Sequence, residues 1–222
     1  MIPIARPTSP LTPYKRRVVA YHEAGHAIAA LAIGLRVDSL ALAPSADQSG
    51  VALVTFPLDA ESVRALAAQR TTAALQRAAV AVHLVVRVAV AGNVGGRCAG
   101  ARDHWGSAPC FIDRLAVVEY VNALVPFPVA GLDAGGRLRL GQIGRRAVAH
   151  ERERARLALA RHERELSALG HALYTRGSLS AEDVHELLSG CASELPRDLQ
   201  LTDDDERAIA GTAALALAEW SV

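Results

Sequence analysis

The stretch Tyr21-His22-Glu23-Ala24-Gly25-His26 constrains this chain more than any other. It reads H-E-x-x-H and sits inside an apolar run over residues 18–35. On a helix, His22 and His26 stand one above the other on a single face. Two imidazoles stacked in this way can hold one Zn²⁺ at about 2.0–2.1 Å each. Glu23 is turned about 100° from His22. That makes it a poor ligand beside the histidines but a suitable group to accept a proton from a water on the metal. The competing reading is a structural His/Glu cluster. Two histidines and a glutamate in such a run are costly to bury without partners.

The flanks suit a helix: Thr12 and Pro13 read as N-cap and N1, and Gly34 as a stop. The chain has 222 residues, of which 51% are apolar and only 4% aromatic. The core must therefore be Ala, Leu and Val, which favours closely packed helices, and the length suits one substantial domain, or a domain plus a small appendage. The net charge of +1 gives no reason to expect a nucleic-acid partner. Three cysteines, Cys98, Cys110 and Cys191, cannot pair completely, and a reducing, cytoplasmic setting is the simplest account. Residues 1–13 lack an apolar core, so no signal peptide is expected. The apolar run over residues 73–94 is interrupted by Arg77, His83 and Arg87, which predicts a buried helix and no membrane span.

In chain order, residues 1–12 read as an irregular lead, 13–190 as the metal-binding domain and 191–222 as a helical extension. Residues 37–43 and 50–56 read as a β-hairpin across a polar turn. A helix, with a break, covers roughly 62–91. The Gly-rich patch at 91–97 reads as a tight turn or close helix packing. Residues 110–124 form a further helix and 131–144 a Gly-rich linker or turn pair. A long charged helix covers 145–175, where Glu151, Arg152, Glu153 and Arg154 read as a solvated face. Ser180 with Asp183 caps the next helix, and Thr202 with the acidic residues after it opens the last.

The heptapeptide YHEAGHA at residues 21–27, the strand pair ending in Pro44 and Phe56, Gly95-Gly96-Arg97, and the segment 174–188 together resemble the protease domain of FtsH-type zinc metalloproteases. The resemblance spans roughly residues 11–189. It implies a mainly α, zincin-like domain with a small β-hairpin or sheet, and a third zinc ligand, an aspartate on a downstream helix. Asp113 takes that role here, with Asp103, His104 and Glu119 as rivals and Cys110 as a less suitable thiolate. Ile112 stands where the family has Asn, and Cys98-Ala99-Gly100 stands where it has an acidic pair. No Walker A sequence occurs, so the resemblance excludes the family's ATPase module.

The expected function is zinc-dependent cleavage of peptides or unfolded protein segments, with His22, His26 and Asp113 on the metal and Glu23 as general base. The family's rings suggest self-association into a homo-oligomer. A non-catalytic zinc-stabilised adaptor or scaffold is the alternative. Against it stands Glu23, which a purely structural site does not need.

Overall fold

The computed structural model describes residues 12–42, 50–101, 111–126, 129–190 and 202–219. Helix α1 (Pro13–Ala32) starts at its sequence-derived cap. Thr12 is extended, its hydroxyl accepts from the Lys15 amide at 3.3 Å, and Pro13 fills the first position. The helix stops at Gly34, whose φ of 74° lets two amides turn back. Gly34 N–H donates to Leu31 O and Leu35 N–H to Ala30 O, each at 2.9 Å, the bond pair of a Schellman stop.

The hairpin forms as expected. Strands β1 (Arg36–Leu42) and β2 (Gly50–Thr55) pair antiparallel, with Leu40 opposite Ala52 and an irregularity between Val37 and Ser39. A third strand, β3 (Ser178–Ser180), adds to the other edge of β1 with Leu40 opposite Leu179, giving the order β2–β1–β3. Three residues are too few to show alternation, so in the sequence β3 reads only as a helix cap. That cap also exists. Asp183 N–H donates to Ser180 Oγ at 3.1 Å, and Ser180 N–H donates to the Asp183 carboxylate at 2.8 Å. Ser180→Ala is expected to cost about 1 kcal/mol, read as a lower urea midpoint with an unchanged slope.

Helix α2 (Ala60–Ala68) is capped by Asp59 and separated from α3 (Thr72–Cys98) by Arg70, whose φ is 53°. The glycine patch does not end α3; the helix runs through it and stops at Gly100, φ 90°. The reason is the crossing of α1 over α3. A Cβ on Gly25 would lie 2.5 Å from Ala91 O, and one on Gly95 would strike Tyr21 O. Of the two sequence readings of this patch, close helix packing is therefore the one observed.

Helix α4 (Phe111–Ala123) follows, then α5 (Ala134–Arg161), α6 (Glu163–Arg176), α7 (Ala181–Gly190) and α8 (Asp203–Glu219). Helix α5 begins about three turns earlier than its charge pattern suggests. Asp133 caps it by accepting from Gly136 N–H at 2.6 Å, and Leu140 and Ile143 are buried. Tertiary burial outweighs the poor helix propensity of its glycines. At the centre lies α3, touching α1, α2, α4, α5 and α8. The described core residues are Ala, Val, Leu and Ile without a ring, and α8 contributes Ile209, Ala213 and Ala216 to them.

Two expectations are corrected. Glu151 is not on a solvated face: it is 1% exposed, and its carboxylate accepts from His83 Nδ1 at 2.7 Å and from Arg87. The exclusion of a membrane span also fails. Helix α3 is 27 residues long and contains an 18-residue window of mean hydropathy 1.7, so by length and composition it can cross a membrane. Arg87 does not disqualify it, because Glu151 and Asp205 pair with that guanidinium. In the fold, 83% of this window is buried against protein.

Candidate metal centre

Helix α1 presents His22 and His26 on the face packed against α3, with their rings 4.7 Å apart and at 89° to one another. Helix α4 brings Asp113 to them. His22 Nε2 lies 3.1 Å from Asp113 Oδ2, His26 Nε2 lies 3.3 Å from Asp113 Oδ1, and the two Nε2 atoms are 3.1 Å apart. Donors at 2.0–2.1 Å from a tetrahedral ion stand about 3.3–3.4 Å from one another. The three side chains thus already hold nearly the spacing that a tetrahedral cation requires.

Their chemistry agrees. The Nδ1 of His26 is 2.7 Å from Val88 O. Because a carbonyl can only accept, Nδ1 carries a proton, and Nε2 is the nitrogen that faces the cluster and can bind a cation once its own proton is displaced. Asp113 Oδ2 is buried and makes no well-aligned hydrogen bond, although His22 Nε2 stands 3.1 Å away. A poorly bonded carboxylate oxygen beside two imidazole nitrogens is an arrangement that a cation relieves. The electrostatics point the same way. Burial opposes a charge on His26, yet the carboxylates of Asp113 and Glu23 push it up to about 9. Burial likewise opposes ionisation of Asp113, but His26 and His22 hold it well below the usual carboxylate range. The site draws positive charge to itself.

Gly92 of α3 forms the floor. A Cβ there would collide with the imidazole of His26 and crowd His22 Nε2. In an open helix Gly→Ala stabilises by about 1 kcal/mol. Here Gly92→Ala is expected to weaken metal affinity by at least about tenfold, measured by competition with a chromogenic chelator.

Glu23 is 3% exposed and faces β2, where the Ala52 amide hydrogen-bonds it. Burial pushes its carboxyl above the ordinary range, against the pull of His22 and His26. Gly50 allows this approach, because a Cβ there would lie 2.8 Å from Glu23 Oε1. Together α1, α3, α4 and β2 enclose a cleft of about 230 Å³ that exposes His22, Glu23, His26 and Asp113 to one space. The histidine pair therefore opens onto a cavity and does not face packed hydrocarbon.

Of the rival ligands, Glu119 is exposed on α4 and outside the cluster, while Asp103, His104 and Cys110 lie outside the described residues. Sequence reasoning missed Gly50, Gly92 and the Val88 carbonyl. Small residues facing a histidine pair are the only signal that the sequence offers for them. A second donor cluster, His150, Glu151 and Asp205, is already neutralised by Arg87 and by Arg154, 3.0 Å from Asp205. It is a buried ion-pair network joining α3, α5 and α8.

Residues 2–68 of the 222 match the model of a family described as Peptidase M50B-like. The matched stretch carries His22, Glu23 and His26 and ends within α2. It supports a metal-dependent peptidase and does not single out the FtsH type. Peptidases of the M50 family are membrane proteins, a second ground for withdrawing the exclusion of a membrane span. No curated protein matches the chain.

Proposed function

We propose that the chain is a zinc-dependent endopeptidase acting on extended polypeptide segments. The observation that carries this reading is the convergence of two imidazoles and one carboxylate beside an acidic side chain, in a cleft bordered by a strand edge. Two nitrogens and one oxygen at tetrahedral spacing suit zinc and leave one position open. When bound, zinc acidifies a water and polarises the scissile carbonyl.

The chain's own residues supply the rest. His22, His26 and Asp113 hold the ion, and Val88 O fixes the ring of His26. Glu23, buried and with its affinity for a proton raised, takes the proton of the attacking water and delivers it to the leaving amine. Strand β2 pairs only with β1 among the described residues, so its other edge offers backbone donors and acceptors along the cleft. An extended substrate added there presents alternate side chains to Val51 and Leu53, which are both about half exposed.

The test is cleavage of casein, an unfolded substrate, by the purified full chain. Cleavage that stops with 1,10-phenanthroline and returns with added zinc is expected. Cleavage indifferent to the chelator contradicts the proposal.

A further inference from the structure

Helix α3 carries polar contacts on two of its faces. On one, Val88 O holds His26 Nδ1, and Gly92, one turn further on, leaves room for both imidazoles. On the other stand His83 and Arg87, also one turn apart. His83 Nδ1 donates to Glu151 of α5, and its Nε2 lies 3.0 Å from Thr212 Oγ1 of α8. Arg87 donates to Glu151 through Nε and to Asp205 of α8 through Nη2, the latter at 2.8 Å. At 100° per residue, Arg87 and Gly92 are about 140° apart around the axis. The ion-pair network and the metal floor therefore lie on nearly opposite sides of one helix. None of the described residues of α5 or α8 lines the metal cleft.

Apolar packing specifies the rotation of α3 only weakly. Over residues 78–91 its buried side chains are Ala and Val, apart from His83 and Arg87. Contacts between such small apolar groups have no direction of their own. The metal side tolerates little movement. A Cβ at position 92 would stand 2.8 Å from His22 Nε2, so a modest turn of α3 brings a neighbouring side chain onto the imidazoles and takes Val88 O off His26. Direction comes from the network, and Asp205 gathers it. Its Oδ1 accepts from Arg87 and from His150 Nε2 at 3.1 Å, and its Oδ2 accepts from Thr202 N–H and from Arg154, each at 3.0 Å. A buried ion-pair network adds little net stability over well-packed apolar side chains, whereas fixing register is its best-attested use.

We propose that Arg87 and Asp205 are positioning residues for the metal centre: through them α8 fixes the rotation of α3, and with it the Val88 carbonyl that orients His26. Helix α8 is then part of the metal-binding unit although it stands outside the cleft. Metal affinity depends on such outer partners, whose loss typically costs about 10–100-fold. The inference rests on the metal-binding reading of His22, His26 and Asp113, and not on turnover.

The test uses the full chain and Asp205→Asn. Asparagine keeps the shape, but both carboxylate oxygens face donors, so its amide N–H₂ meets donors at either end. Ser180→Ala, weakened at a cap remote from α3, serves as the control for stability alone. In the metal-free chain, ¹⁵N NMR is expected to show a His26 Nδ1 proton protected by Val88 O. That protection should persist in Ser180→Ala and disappear in Asp205→Asn. Zinc affinity, measured by chelator competition well below the melting transition, is expected to fall about tenfold in Asp205→Asn and to hold in Ser180→Ala. Coupling is reciprocal, so zinc should slow local opening of α8 by the same factor. Hydrogen exchange of the unsubstituted chain reads this directly and needs no variant. The slowing should exceed that of α7, which packs on α6, β1 and β3. The proposal is overturned if Asp205→Asn keeps both the proton and the affinity, if Ser180→Ala loses affinity equally, or if zinc slows α8 no more than α7. The expected proton pattern without zinc binding by any of the chains keeps the clamp and removes the metal.

Discussion

Replacing Glu23 with glutamine is expected to lower peptide cleavage by about 10²–10⁴-fold while zinc stays bound. Glutamine keeps the shape of the side chain and its contact with the Ala52 amide, but it takes no proton from water. Glu23 does not belong to the donor cluster of His22, His26 and Asp113, so metal content should hold. Single-turnover cleavage and zinc content on one preparation separate the two effects. Equal activity in the variant removes Glu23 from the mechanism, and joint loss of zinc and activity recasts it as a ligand. One equivalent of zinc with no cleavage in the unsubstituted chain favours the scaffold reading.

The second large effect lies away from the metal. Glu151→Gln is expected to destabilise the chain by about 3–5 kcal/mol, because it strips one charge from a buried network and leaves Arg87 undercompensated. For a domain of this size that corresponds to a fall in Tm of roughly 6–20 °C. The pH dependence has a defined sign. Burial raises the Glu151 pKa, but bonds from His83 and Arg87 more than offset this and leave it below the ordinary range. A carboxylate depressed in the fold stabilises at every pH above its unfolded value, and the benefit disappears as pH falls through its folded value. The Tm gap between the two chains should therefore be full at neutral pH and narrow below about pH 4.3. A gap independent of pH means that Glu151 is not ionised in the fold.

The sequence is most legible where one residue type answers one local demand. Thr12, Gly34 and Ser180 with Asp183 act at helix ends, where a hydroxyl, a positive φ or a reciprocal bond is required whatever the remainder of the fold does. Spacing alone brings His22 and His26 to one face. Distant partners are less legible. Arg87 looks like an interruption of an apolar run, Glu151 like a surface residue and Asp205 like a simple cap, because each meaning depends on the others and they come from three separate helices. The glycines of α3 look like a turn until α1 is laid across them. The exclusion of a membrane span fails for a related reason: a charge inside an apolar helix counts against a span only while it lacks a partner.

X-ray absorption at the zinc K-edge tests the central claim most directly. The account predicts two imidazole nitrogens and two oxygens at about 2.0–2.2 Å, one oxygen from Asp113 and one from water. It also predicts that Asp113→Asn weakens zinc retention in dialysis. A sulfur in the shell, or a shell and zinc content left unchanged by Asp113→Asn, contradicts it.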